Sequence, residues 1–162
     1  WKGRVTLLMT ILAIDPGKSG GLAFTHGSEV HSRNMPETAG DVIDFLRNLM
    51  AIAPDGVECY MESMVKFIGG KTQTGASAIV YGHNYGVLEG AVMALSMRLQ
   101  FVRPQEWQRG LGLATKGKRT DRAWKNNLKA EAQRLFPTQK VTLGIADALL
   151  ILEYALRQKH DD

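Results

Sequence analysis

The chain has 162 residues, of which 44% are apolar and 22% charged, and a formal net charge of +4. That is enough chain to bury a sizeable core in a single domain, and the ordinary balance excludes a fibrous or low-complexity protein. The longest nearly apolar stretch, Val5 to Ile14, is half the roughly 20 residues of a membrane helix, and the lone cysteine, Cys59, excludes an internal disulfide and suits a reducing cytoplasm.

In chain order, Met9 reads as a natural start, with residues 1–8 a leader or a cloning remnant. The start also lacks the small-residue cleavage site of a secretory signal. Ile11 to Ile14 is a buried strand closed by Asp15-Pro16-Gly17, Gly20 to Thr25 a second and Glu29 to Met35 a third, with His26-Gly27-Ser28 as the hairpin. Val42, Phe45, Leu46 and Leu49 recur at helical spacing, which predicts a helix over Thr38 to Met50. Pro54-Asp55-Gly56 breaks it before a fourth strand, Val57 to Glu62, in which Cys59 reads as a buried small hydrophobe. A loop around Gly69 to Gln73 leads to a long helix, Ala76 to Met97, then a fifth strand, Gln100 to Arg103, and a short helical turn, Gln105 to Leu111. A Gly/Lys-rich loop, Gly112 to Arg119, opens a basic helix, Asp121 to Phe136, and a last helix runs from Ile145 to about Gln158. This order is α/β, with a mixed five-stranded sheet flanked by helices.

In the long helix, Ala78, Gly82, Gly86, Gly90 and Ala94 form a ridge of small residues spaced by four. Glycine inside a helix costs about 0.5–1 kcal/mol relative to alanine, so close approach of another backbone is expected there. That backbone is either the chain's own sheet or a second copy.

Charge is unevenly spread. Residues 98–140 carry eleven Lys and Arg against three acids, a balance of +8, and the remainder balances at −4. Either this is a solvated helix face or one surface meets a polyanion. The acids are more informative. Asp15 and Glu62 each close an apolar strand, and Asp147 lies in Gly144-Ile145-Ala146-Asp147-Ala148-Leu149-Leu150. Asp15 alone could close an Asx turn, and Asp147 alone could favour a helix N-terminus. Acids beside core positions are expensive without a partner, and one cation shared by three would account for all of them. Hard oxygen ligands suit Mg²⁺ or Mn²⁺, one or two per subunit, and such ions activate water for phosphodiester hydrolysis.

Ile11-Leu12-Ala13-Ile14-Asp15-Pro16-Gly17, Tyr60-Met61-Glu62-Ser63 and Ala146-Asp147-Ala148-Leu149-Leu150 resemble the three acidic motifs of RuvC-like Holliday junction resolvases, most closely the phage and organellar branches. Gly82 to Gly90 and Val102 to Gln108 are also similar to family segments, so the resemblance spans about residues 10–156. It implies an RNase H-like fold and a crossover junction endodeoxyribonuclease that resolves four-way junctions by paired cleavage, in recombination, repair or phage DNA processing. It further implies that Asp15 bridges two metal ions, that Glu62 binds one and that Asp147 binds the other.

The family has a further Asp or His three or four residues before the last acid, where this chain has Gly144 and Leu143. Weak binding of the second ion, a different ligand and an inactive variant are all open. Expected DNA contacts are Lys66, Phe67 and Lys71 after the fourth strand, with Phe67 stacking on an unpaired base, and Lys116, Lys118, Arg119, Arg122 and Lys125 along the basic segment. A homodimer is expected as well, because paired nicks in a nearly two-fold symmetric junction need two sites.

Other frames fit less well. Gly17-Lys18-Ser19 is not a P-loop, since the required preceding glycine is Leu12, and the two-domain actin-like kinases need a longer chain. The rival that remains is a module that binds branched DNA without cutting it.

Overall fold

Side chains alternate across a strand, so a strand apolar on both faces must be covered on both. The strand β1 (Thr10–Asp15) is of this kind, in a computed structural model that describes residues 9–64, 75–113 and 116–160. Its Leu12 and Ile14 enter one core, and Ile11 and Ala13 enter another on the opposite face.

Four further strands complete the sheet: β2 (Gly21–His26), β3 (Glu29–Asn34), β4 (Val57–Glu62) and β5 (Arg98–Val102), in the spatial order β3-β2-β1-β4-β5. The β1–β2 and β2–β3 pairs are antiparallel, while β1–β4 and β4–β5 are parallel. The sheet is therefore mixed and five-stranded, as the element order predicts.

The helices α1 (Ala39–Ala51) and α2 (Gly75–Ala94) cover the face carrying Leu12 and Ile14. The other face is covered by α3 (Pro104–Gly110), α4 (Asp121–Leu135) and α5 (Leu143–His160). Thr38 caps α1 by accepting from the Asp41 N–H at 3.1 Å, and Thr120 caps α4 through Ala123 at 3.2 Å. Among the described residues, no helix is long and apolar enough to cross a membrane.

One expectation needs correction, and one open alternative is decided. The long helix ends at Ala94, short of Met97, because Ser96 adopts a left-handed conformation (φ 57°) and the Met97 N–H bonds back to the Val92 carbonyl at 3.2 Å. Its glycine ridge does not pack on the sheet. A Cβ placed on Gly82, Gly86 or Gly90 would meet nothing within 4 Å, and the side of α2 that enters the core is Tyr85, Leu88 and Val92. The chain's own sheet is thus excluded as the backbone that approaches those glycines.

Candidate active site

The parity that sorts the core also aims the acids. In β4, Val57, Cys59 and Met61 face α1 and α2, so Glu62 joins Tyr60 on the side of α3 and α5. Asp15 follows Ile11 and Ala13 to that same side. Ile14 pairs with Met61, so Asp15 and Glu62 close adjacent parallel strands at one level, on backbones about 4.8 Å apart.

Asp147 is brought in by a close approach of α5 to the β1–β2 turn. A Cβ on Gly144 would lie 2.6 Å from the Ser19 carbonyl oxygen, and one on Gly21 would lie 2.9 Å from the Gly144 carbonyl. Gly20 is equally constrained, since a Cβ there would fall 2.9 Å from the Asp15 carboxyl carbon. Gly21 and Gly144 let the helix touch the turn, and Gly20 lets the turn fold against Asp15. The helix begins at Leu143, so Asp147 is its fifth residue, beyond the first turn where a helix dipole favours an acid. The position of the missing fourth acid is explained too: no side chain fits at Gly144, while Leu143 points outward and is 48% exposed.

Electrostatics ties the three acids together. Burial pushes the Glu62 carboxyl up to about 7; the Trp107 hydrogen bond opposes the rise, and the charges of Asp15 and Asp147 add to it. Asp147 is pushed up to about 7 by burial and then by Asp15, against the pull of Lys125. Asp15 is also raised by burial, offset by the Gly17 N–H its carboxylate accepts and by Lys125. That Gly17 contact is the Asx turn foreseen from the sequence, so the residue closes the turn and faces the other acids at once.

The three carboxylates do not form a closed cage. Among the described residues, no group of three acidic, histidine or cysteine side chains is set to hold a metal ion. The donor chemistry still fits a hard divalent cation, since all three are partly desolvated oxygen ligands that repel one another. Mg²⁺ retains several waters, so it tolerates carboxylates that are near without being in contact.

The basic residues divide. Lys125 stands close enough to Asp15 and Asp147 for its charge to oppose the rise of both carboxyls, so the structure brings it near the acids. Lys116 pairs with Asp121, and Arg119 lies over the Trp124 ring, 5.9 Å from its centroid. Lys118 and Arg122 are exposed. Lys66, Phe67 and Lys71 lie outside the described residues.

Two features escaped sequence reasoning. Trp107 Nε1 donates to Glu62 Oε2 at 2.9 Å. The segment Val102 to Gln108 was visible as a motif, but nothing in it signals which residue faces the acid. The second feature is a cavity of about 520 Å³ behind the β1–β2 turn, lined by Gly17, Lys18, Pro36, Glu37, Asn84 and Val87 among others.

No family model matches the chain, and no curated protein does. Solved structures do. The chain is similar to Thermus thermophilus RuvC, with a TM-score of 0.57 at 18% identity over 93% of this chain and 97% of that one. It is also similar to T. thermophilus RuvC in complex with a Holliday junction substrate, with a TM-score of 0.56 at 18% identity over 93% and 96% of the two chains. The fold is therefore that of RuvC, the RNase H-like α/β arrangement.

Proposed function

We propose that this chain is a divalent-metal-dependent endodeoxyribonuclease that resolves four-way DNA junctions. The observation that carries the reading is the convergence of Asp15, Glu62 and Asp147 on one sheet edge, each carboxyl raised by burial and two of them by their neighbours' charge. The likeness to a RuvC solved with a Holliday junction substrate supports the choice of branched DNA.

Asp15, Glu62 and Asp147 would hold Mg²⁺ or Mn²⁺. When bound, such an ion supplies Lewis-acid stabilisation of the phosphoryl oxygens and a more acidic water. Asp15 is central, because it is the neighbour that raises both other carboxyls. Lys125 brings a positive charge to the same edge, suited to a phosphate seated beside Asp15 and Asp147. Lys116, Lys118, Arg119 and Arg122 extend that charge along the α4 side as backbone contacts, and Lys66, Phe67 and Lys71 complete the proposed DNA surface.

The unit would be a homodimer, joined in part by the outer face of α2. Gly86, Gly90 and Ala94 line a groove there with Ile43, Val87 and Leu95, and Ile79 and Met93 on the same helix are 74% and 62% exposed. Gly86→Leu should leave the fold intact, since nothing lies within 4 Å of an added Cβ, and should dissociate the dimer in sedimentation at micromolar concentration.

A synthetic four-way junction incubated with Mg²⁺ tests the activity. Paired nicks that vanish in Asp15→Asn support the reading. Tight, junction-selective binding with no nicking in Mg²⁺ or Mn²⁺ favours the second reading, a branched-DNA-binding module. One observation speaks for that rival: Gly144 leaves no room for a fourth acidic ligand.

A further inference from the structure

Glu62 ends an edge-proximal strand on a side chain with three rotatable bonds, yet one of its oxygens is held. The holder, Trp107, is 1% exposed and packs in the core beneath α5. An indole N–H is a donor with no acceptor capacity, so its contact with a carboxylate oxygen has one sense only.

The ring itself cannot readily turn away. Its helix, α3, starts on Pro104 and is closed at the N-terminus by Glu106, whose Oε2 accepts from the Arg103 N–H at 3.4 Å. At the other end a Cβ on Gly110 would lie 2.5 Å from the Tyr154 ring, and the Leu111 N–H returns to the Trp107 carbonyl at 3.0 Å. The helix is thus capped at its N-terminus and seated against α5 at its C-terminus.

We infer that Trp107 is a positioning residue for the metal site: by holding Glu62 Oε2 it fixes the carboxylate and leaves Oε1 to meet the cation. The inference rests on the reading of Glu62 as a metal ligand. Partners of this kind orient a ligand and typically change metal affinity or activity about 10- to 100-fold when removed. The bland competitor is a core tryptophan whose N–H takes the nearest acceptor, with no consequence for the ion.

The two differ in what the N–H does apart from the ring's bulk. Replacing Trp107 by 3-benzothienylalanine puts sulfur where the N–H stands and keeps the shape, so packing survives and the donor is lost. Mn²⁺ binding to the DNA-free protein, read by electron paramagnetic resonance, should weaken about tenfold or more. Circular dichroism and junction affinity in Ca²⁺ should stay within about twofold of wild type, and tryptophan returned by the same incorporation route should restore Mn²⁺ affinity.

Trp107→Phe is the simpler variant, and the isostere decides the matter if that variant fails to fold. Unchanged Mn²⁺ affinity in the isostere overturns the inference. Glu62→Gln separates the two levels. If Glu62→Gln weakens Mn²⁺ binding and the isostere does not, only the role of Trp107 falls. If Glu62→Gln also leaves Mn²⁺ binding intact, the metal-ligand reading falls and takes the inference with it.

Discussion

Strand β4 carries two carboxylates on one face, four residues apart, and they have opposite fates. Glu58 is 2% exposed, with two donors on one oxygen and an ion pair on the other. It accepts from the Tyr60 hydroxyl at 3.1 Å and from the Gln100 amide, and Lys159 Nζ lies 2.8 Å from its other oxygen. Among the described residues Glu62 has one neutral donor, Trp107, and two acids nearby, and its carboxyl is pushed up to about 7. A buried acid with a cation and two donors is a structural fixture. One left with acidic neighbours at the end of a strand is what the proposed metal site requires.

The largest effect should come from breaking the acidic end. Asp15→Asn should lower junction cleavage by about 10³-fold or more, roughly 4 kcal/mol at 1.36 kcal/mol per decade, with junction affinity in Ca²⁺ held within about threefold. Single-turnover cleavage and a gel-shift titration check both halves. Loss of affinity equal to loss of cleavage would overturn the assignment of Asp15 to chemistry.

Breaking the paired end should act on stability. Lys159→Ala strands the buried Glu58 carboxylate; fully buried pairs lose about 3–5 kcal/mol in such changes, and with Lys159 31% exposed about 2 kcal/mol is expected. Urea unfolding measures it, and the cleavage rate per folded molecule should not move. A change in rate with no change in stability would blur the contrast between the two glutamates.

Neutralising Lys116, Lys118 and Arg119 together should weaken junction binding about tenfold and flatten its salt dependence by up to about 0.9 log units per lost phosphate contact. Binding titrations between 50 and 200 mM salt read the slope directly. An unchanged slope means that this surface faces solvent.

The smallest effect concerns pH. Glu62 and Asp147 titrate at about 7 when folded, above their ordinary values of 4.5 and 3.8, so the folded chain holds these protons more tightly than the unfolded one. Their contribution is therefore fully favourable below about pH 4 and is lost as pH rises through 7. In the absence of metal the thermal midpoint should fall by a few degrees between pH 5 and 8, and Mg²⁺ should restore it. Glu62→Gln should flatten the profile, whereas a profile that rises toward pH 8 would count against mutual repulsion at the site.

Much of this was legible in the residues themselves. Short apolar and β-branched runs bounded by turn residues placed the five strands, and the ends of two such runs placed Asp15 and Glu62. The periodicity of α1 is a local signal, readable without a fold, whereas the Thr38 and Thr120 caps are seen only in the structure. Three motifs in order also carried the resemblance to RuvC, and the structural likeness bears out its fold.

Only the tertiary structure decided the rest. That Asp15, Glu62 and Asp147 share an edge depends on β1 and β4 pairing in parallel at Ile14 and Met61, across a separation no local pattern encodes. In the sequence Gly21 reads as part of a strand and Gly144 as the position of a missing ligand, and their steric role emerged when α5 was found pressed on the β1–β2 turn. The Trp107 bond to Glu62 and the Lys159 pairing with Glu58 join residues 45 and 101 positions apart. Sequence periodicity reports which face a side chain takes, because that is set by backbone geometry over a few residues. Which partner waits on that face is set by packing among elements distant in the chain, and that alone separates the paired Glu58 from Glu62, the proposed metal ligand.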